Sequence, residues 1–396
     1  MKSEKLGIAW VLGALLLAGT SWSAAAEPGL TDKTIKIGMF GPLTGATSIY
    51  GYPINNSAIA VYDEINAKGG IHGRKIEIVH EDDGCDSAKT RAAVKKLIHS
   101  DQVFMIHGGN CSAAVFSVKD EFINNKVPFM VMGATTDKIS SPVNRYVFTT
   151  TLPGLPAGQL LIDFARSMPG VKTIAVVKHA NEWADANSRA VLEGYQAAGF
   201  KLVAEAQLDS GAKDATAQVL SIKKANPDIV FIILYAGEAA VFLRDALKYD
   251  LKGPFLSSVA TLDLGDLAQR AGGTEAVQNV YTGSYLSNPV DSEQMVEYRN
   301  LFLKYFPSDK VISLNFSGMA SARTVIAALE KAGPDLTREK FIDALESIKG
   351  FPAGTAPCEI TFTPQDHQGC KTGTIWTMVG DKVVNVGTKW HEVKKQ

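Results

Sequence analysis

Short apolar runs, each followed after a turn by an amphipathic helical stretch, recur along most of this chain and leave few folds open. Residues 34–40 alternate apolar and polar and read as a strand. A loop over 41–51 leads to a helix with Ile54, Ala58, Val61, Tyr62 and Ile65 on one face, which Gly69 and Gly70 end. Residues 75–80 read as the second strand, and Asp86 caps a helix reaching about Ser100. Strands at 103–106 and 128–131 continue the series. Strands separated by helices lie parallel, in a sheet covered on both faces. The pattern pauses near 149–154 and restarts with strands at 173–177, 202–206, 229–234 and 255–257. From about 283 the chain turns mainly helical, at 291–306, 313–332 and 337–348. Strand-like pieces follow at 358–363, 374–379 and 382–386. With 396 residues, the chain exceeds one small core. The expected fold class is α/β, in two doubly wound parallel-sheet lobes.

Composition excludes several functions. The 40 Lys and Arg are balanced by 41 Asp and Glu without a basic block, so no nucleic-acid partner is expected. The seven His are scattered without ligand spacing, which argues against a metal site. No phosphate loop, dinucleotide fingerprint or Gly-x-Ser-x-Gly occurs, so neither a cofactor nor a catalytic residue is assigned. Ser221 with Lys224, and Lys371-Thr-Gly373, match two elements of penicillin-recognising enzymes, but the Ser-Asp-Asn element is missing and no enzyme is expected.

At the N-terminus, Lys2 and Lys5 precede an apolar run over 6–19, then polar 20–23 and Ala24, Ala25, Ala26 and Glu27. This reads as a signal peptide over 1–26, cleaved after Ala26, with no cysteine for lipid attachment. The expected location is the periplasm. Four cysteines, Cys85, Cys111, Cys358 and Cys370, suggest two disulfides there; three pairings are possible, and 85–111 with 358–370 gives the shortest loops.

Two stretches suggest a binding site. The strand at 103–106 runs into Gly108, Gly109 and then Ser112, which opens a helix reaching about Asn124. The strand at 128–131 ends in Gly133, Ala134, Thr135 and Thr136. Unpartnered N–H groups at a helix start, beside hydroxyls, suit a ligand carboxylate. The same pattern also describes an ordinary strand–helix turn with a serine cap. Tyr50, in the loop 41–51, falls on the same side.

Lys36-Ile-Gly38, Gly41-Pro-Leu-Thr-Gly45, Ile65-Asn-Ala-Lys-Gly-Gly-Ile71, Glu81-Asp-Asp-Gly-Cys-Asp86 and Ala134-Thr-Thr136 together resemble the periplasmic branched-chain amino-acid-binding proteins of ABC transporters. The resemblance runs over essentially the whole chain after residue 26. It implies a type I periplasmic-binding fold whose lobes are joined by a three-crossover hinge. Lobe one would hold 33–153 and 283–368, and lobe two 154–282 and 369–390. It implies a Cys85–Cys111 disulfide, carboxylate contacts at Ser112, Gly133 and Thr135, and an aromatic contact at Tyr50. Trp183 and Tyr235 would contact the ligand from lobe two, and Asn110 would line the pocket. A membrane-embedded ABC permease is the implied partner, and the protein is expected to be a monomer.

One departure shapes the expected ligand. Amino-acid binders of this family carry a carboxylate shortly after the strand at 253–257, and here that position falls near Val259. A buried ammonium without a counter-charge costs several kcal/mol. The expectation is therefore a small organic acid, preferably aromatic, such as a hydroxycinnamate or benzoate. Glu182, Glu238 or Asp263 moving inward would restore an amino-acid site, and a periplasmic sensor is the remaining alternative.

Overall fold

The computed structural model describes residues 27–261 and 263–387, so the stretch read as a signal peptide lies outside the described residues. The first sheet contains β1 (Thr34–Gly41), β2 (Lys75–Asp82), β3 (Met105–Gly108), β4 (Phe129–Val131) and β5 (Val147–Thr149). All its pairs are parallel, in the order β2-β1-β3-β4-β5. The second contains β6 (Thr173–Lys178), β7 (Lys201–Gln207), β8 (Ile229–Ile233), β9 (Phe255–Ser257), β10 (Val280–Ser284), β11 (Thr374–Val379) and β12 (Lys382–Asn385). Its order is β12-β11-β10-β9-β8-β6-β7, parallel from β7 to β10 and antiparallel beyond. Central strands β3, β4 and β8 are buried along their whole length, as strands covered on both faces must be.

Both sheets therefore repeat one winding, in which the second strand lies outside the first and the third returns to its other side. That reversal opens a crevice at the strand carboxyl ends, between β1 and β3 in one sheet and between β6 and β8 in the other. The chain crosses between the sheets three times: after β5, after β10 and before β11. Between the last two crossings, the helices Val296–Tyr305, Ser317–Ala332 and Arg338–Glu346 return to the first lobe. Ser317–Ala332 packs against Ser48–Ala67 so closely that a Cβ at Gly318 would strike the Ile54 carbonyl. Arg338 donates to the carbonyls of Val103 and Phe104 at 2.7 and 2.8 Å.

Several sequence expectations need correction. The helix expected from Ser112 to Asn124 is two short ones, Ser112–Phe116 and Lys119–Asn124. Ser117 Oγ donates to the Ala114 carbonyl at 2.7 Å, and Val118 N–H turns back to Val115. Ser112 occupies the first helical position and caps nothing; Cys111 precedes it as the cap residue, without a side-chain bond. The strand expected over 358–363 reduces to isolated bridges, Phe351 with Ile360 and Thr363 with Asp366, beside the Cys358–Cys370 disulfide. Strands β5 and β10 were not read. The other disulfide joins Cys85 to Cys111, and Asp86 caps its helix through the N–H groups of Ala88 and Lys89.

A polar chain crosses the first lobe's core. Ser321 Oγ donates to the Gly318 carbonyl and so accepts from His107 Nε2 at 2.8 Å; Nδ1 then accepts from the Tyr62 hydroxyl at 2.6 Å. This leaves His107 neutral, and burial lowers its pKa to about 3. The unfolded chain takes up that proton near pH 6.5, whereas the folded protein does not, so His107 withdraws stability as pH falls from about 6.5 toward 3. Urea denaturation of His107→Gln should give a stability slope between pH 7 and 5 shallower by up to one proton, about 1.4 kcal/mol per pH unit.

Candidate functional site

The two switch-point crevices face each other, and the loops leaving the strand carboxyl ends build the space between them. Gly109 follows β3 with φ of +80°, and a Cβ there would crowd Val115 at 2.7 Å, so the turn requires glycine. Three residues on, Ser112 Oγ accepts from the N–H groups of Thr135 and Thr136 at 3.2 and 3.3 Å. That hydroxyl ties the loop after β3 to the loop after β4. The Cys85–Cys111 disulfide fastens the same loop to the end of β2. The Asn110 carboxamide lies between Gly41 and Gly133, where a Cβ at either would press on it. Neither of its polar atoms has a partner among the described residues.

The second lobe supplies rings. Tyr235 follows β8, and its centroid lies 4.7 Å from Trp183 and 5.6 Å from Tyr50 of the first lobe. Behind it, Tyr235 N–H donates to His179 Nε2 at 3.1 Å, while His179 Nδ1 donates to the Leu208 carbonyl at 2.7 Å. The Tyr50 hydroxyl crosses the cleft to accept from Ala236 N–H at 2.9 Å. Burial raises the pKa of Tyr50, Tyr235 and Tyr285, which keeps the phenols protonated.

All seven residues named as site candidates, Tyr50, Asn110, Ser112, Gly133, Thr135, Trp183 and Tyr235, line one cavity. About 590 Å³ of space free of atoms, open solvent included, lies between these residues. Thr47, Ile54, Cys111, Val259, Ala260, Tyr285 and Leu314 complete the wall. No acidic or basic side chain is among them. The acids that sequence offered as ammonium partners are engaged elsewhere. Glu182 accepts from Thr136 at 2.7 Å and pairs with Lys138 at 2.8 Å. Glu238 accepts from Gly211 N–H at 2.6 Å. Asp263 accepts from the N–H groups of Asp266 and Ser313 and faces a separate outer cavity.

That outer cavity shares Tyr50, Ala260 and Leu314 with the inner one and gathers the charges: Asp263, Asp266, Asp309, Arg270 and Lys310. Arg270 pairs with Asp266 at 2.5 Å, and Lys310 reaches the same carboxylate at 3.5 Å. Ser221 is exposed on the helix Thr216–Ala225, and Lys371 pairs with Asp366. Neither reaches the inner cavity wall. Tyr285 and Leu314 were missed in sequence. Tyr285 stands just past β10, as Tyr235 stands past β8, and reading that strand would have exposed it.

A family model described as periplasmic binding protein matches residues 34–382. The chain belongs to the periplasmic binding protein family. It is 28% identical over 261 residues to the leucine-, isoleucine-, valine-, threonine-, and alanine-binding protein of Pseudomonas aeruginosa, which covers 65% of this chain and 67% of that one. It is 27% identical over 260 residues to the Leu/Ile/Val-binding protein of Escherichia coli K12, covering 65% and 70%. Among solved structures, a branched chain amino acid ABC transporter from Thermus thermophilus with bound valine aligns with a TM-score of 0.84 at 20% identity, covering 92% and 98%. These similarities establish the fold class read from the strand–helix alternation.

In this family member the Tyr50 hydroxyl links the lobes through a neutral, partly buried bond, which contributes about 0.5–1.5 kcal/mol. Tyr50→Phe keeps the ring and removes the link. Calorimetric titration should then show solute affinity lowered at least about 2- to 10-fold, the loss of that link alone, with the unfolding midpoint of the free protein little changed.

Proposed function

We propose that this protein is the periplasmic solute receptor of an ABC importer and binds a small organic carboxylate between its lobes. An aromatic acid such as a hydroxycinnamate or benzoate is favoured over an α-amino acid. The observation that carries this reading is the cavity wall, which combines hydroxyls and rings without any ionised side chain. The lone pairs of Ser112 Oγ are taken by two backbone N–H groups, and the Tyr50 oxygen accepts from a third. Their protons are left to donate, which suits a group that only accepts. Hydrogen bonds to a charged partner contribute about 1.5–3 kcal/mol each, enough to hold a carboxylate. An α-ammonium would find no counter-charge there and would cost several kcal/mol to bury. Trp183, Tyr235 and Tyr50 present flat faces to an uncharged body.

Export through residues 1–26 would place the receptor in the periplasm as a monomer. A solute touching both lobes favours the closed form, which is the form a permease would recognise. Lobe one is taken as 33–153 with 283–368, and lobe two as 154–282 with 369–390. The names of the sequence relatives favour a second reading, a branched-chain amino acid held by the same carboxylate end.

Calorimetry of the processed protein with benzoate, 4-hydroxycinnamate and leucine separates these readings. The aromatic acids should bind, with leucine at least about 100-fold weaker; tight leucine binding would transfer the assignment to the amino-acid reading. Ser112→Ala and Thr135→Val should each weaken carboxylate binding about 10- to 100-fold, the loss of one charge-assisted bond.

A further inference from the structure

We infer that Asn187 is a positioning residue: in the closed form it turns the Thr135 hydroxyl into a proton donor toward the bound carboxylate. The inference rests on the carboxylate reading above and names what couples that head group to closure.

Asn187 lies on the helix Glu182–Gly194 of the second lobe and is 1% exposed. Its Nδ2 donates to the Trp183 carbonyl at 2.8 Å on its own helix and to Thr135 Oγ1 at 3.0 Å across the cleft. A carbonyl oxygen only accepts, so the first bond identifies the nitrogen and fixes how the carboxamide faces. Thr135 must therefore accept from Asn187. Its single proton is left for another partner, and Thr135 lines the inner cavity beside Ser112, whose lone pairs are also occupied.

The arrangement has a cost that packing alone would not require. Asn187 Oδ1 is buried without a partner among the described residues, whereas an aliphatic side chain of similar size would leave no acceptor unpaired. The Nδ2 contact to Thr135 gives the carboxamide a role that offsets this penalty. It also runs between the lobes and so lasts only while they are together. When the lobes part, Asn187 leaves with its helix, and the Thr135 hydroxyl regains the freedom to accept as well as donate. A carboxylate therefore gains a fixed donor on closure, and that difference between states shifts the equilibrium toward closed. A neutral amide gains less, because its NH₂ group meets donors.

Two charged pairs flank the contact across the same cleft: Asp137 with Arg189 at 2.8 Å, and Glu182 with Lys138 at 2.8 Å. Asp185, also on this helix, pairs with Lys178 at 2.6 Å. All are common to wild type and variants, so the wild-type pH profile is the baseline.

The test uses benzoate and benzamide, with leucine and leucinamide as the second pair, at pH 5 to 7.5. Asn187→Asp keeps the shape and replaces the donor by an acceptor. Its affinity for the carboxylate probe should fall at least about 30-fold at pH 7.5 and recover toward pH 5, where the new carboxyl is protonated and donates again. Asn187→Leu should reduce the preference for carboxylate over amide by about 5-fold or more at every pH. A loss in Asn187→Asp that does not change with pH, or unaltered preference in Asn187→Leu, overturns the inference while wild-type binding leaves the proposed function standing. Failure of every carboxylate to bind wild type overturns the proposed function and this inference with it.

Discussion

A parallel sheet sends every strand toward the same edge, and that constraint determines where this protein can hold a solute. Each helix must carry the chain back before the next strand begins, so all loops leaving the strands gather at one end. Where strand order reverses, neighbouring loops diverge and leave a crevice bounded by backbone N–H groups and short side chains. This chain builds that arrangement twice, around β1/β3 and β6/β8, and three crossovers set the crevices face to face. Tyr50, Asn110 and Ser112 leave the first; Trp183 and Tyr235 leave the second. The site depends on winding before it depends on any particular side chain.

Within that geometry, hydroxyls are turned into donors by other donors. A hydroxyl is ambivalent until its lone pairs are taken, and here backbone N–H groups take them at Ser112 and Tyr50, while Asn187 takes one at Thr135. Two of these three oxygens accept from the opposite lobe. Two of the hydroxyls lining the inner cavity are thus oriented by contacts that run between the lobes. The short helix at Ser112 adds little through its dipole, since it has only five residues.

The parts of the molecule that were legible in sequence are those where one local pattern leads to one outcome. Residues 229–234 are an uninterrupted apolar run, and β8 is buried throughout. Asp86 sits just before an amphipathic stretch and caps its helix. Asn110, Ser112, Gly133, Thr135 and Tyr235 were legible because each lies two to four residues past a strand, and family resemblance added Tyr50 and Trp183, which lie farther on. Strand β10 escaped because Val280–Ser284 ends in Thr282, Gly283 and Ser284, small residues whose strand conformation comes from pairing with β9 and β11. Missing it hid Tyr285. The break at Ser117 depends on one side-chain hydrogen bond to the backbone, which periodicity cannot register. Asn187 was invisible for another reason: its partner lies 52 residues away across a cleft.

Charge is distributed unevenly between the two cavities. An acid facing the inner cavity would be desolvated and would need a permanent partner or a cationic solute. The chain instead leaves Asp263, Asp266, Asp309, Arg270 and Lys310 at the outer cavity, where water reaches them and where Asp266 is already shared by two cations. Asp263 shows the cost of even partial burial: desolvation raises its pKa, and two backbone N–H groups are spent holding it. Moving such a group past Tyr50 into the inner cavity would forfeit both bonds, of which the one from Ser313 runs between the lobes. The inner wall therefore offers neutral donors and rings, while the ionised side chains stay at the outer cavity.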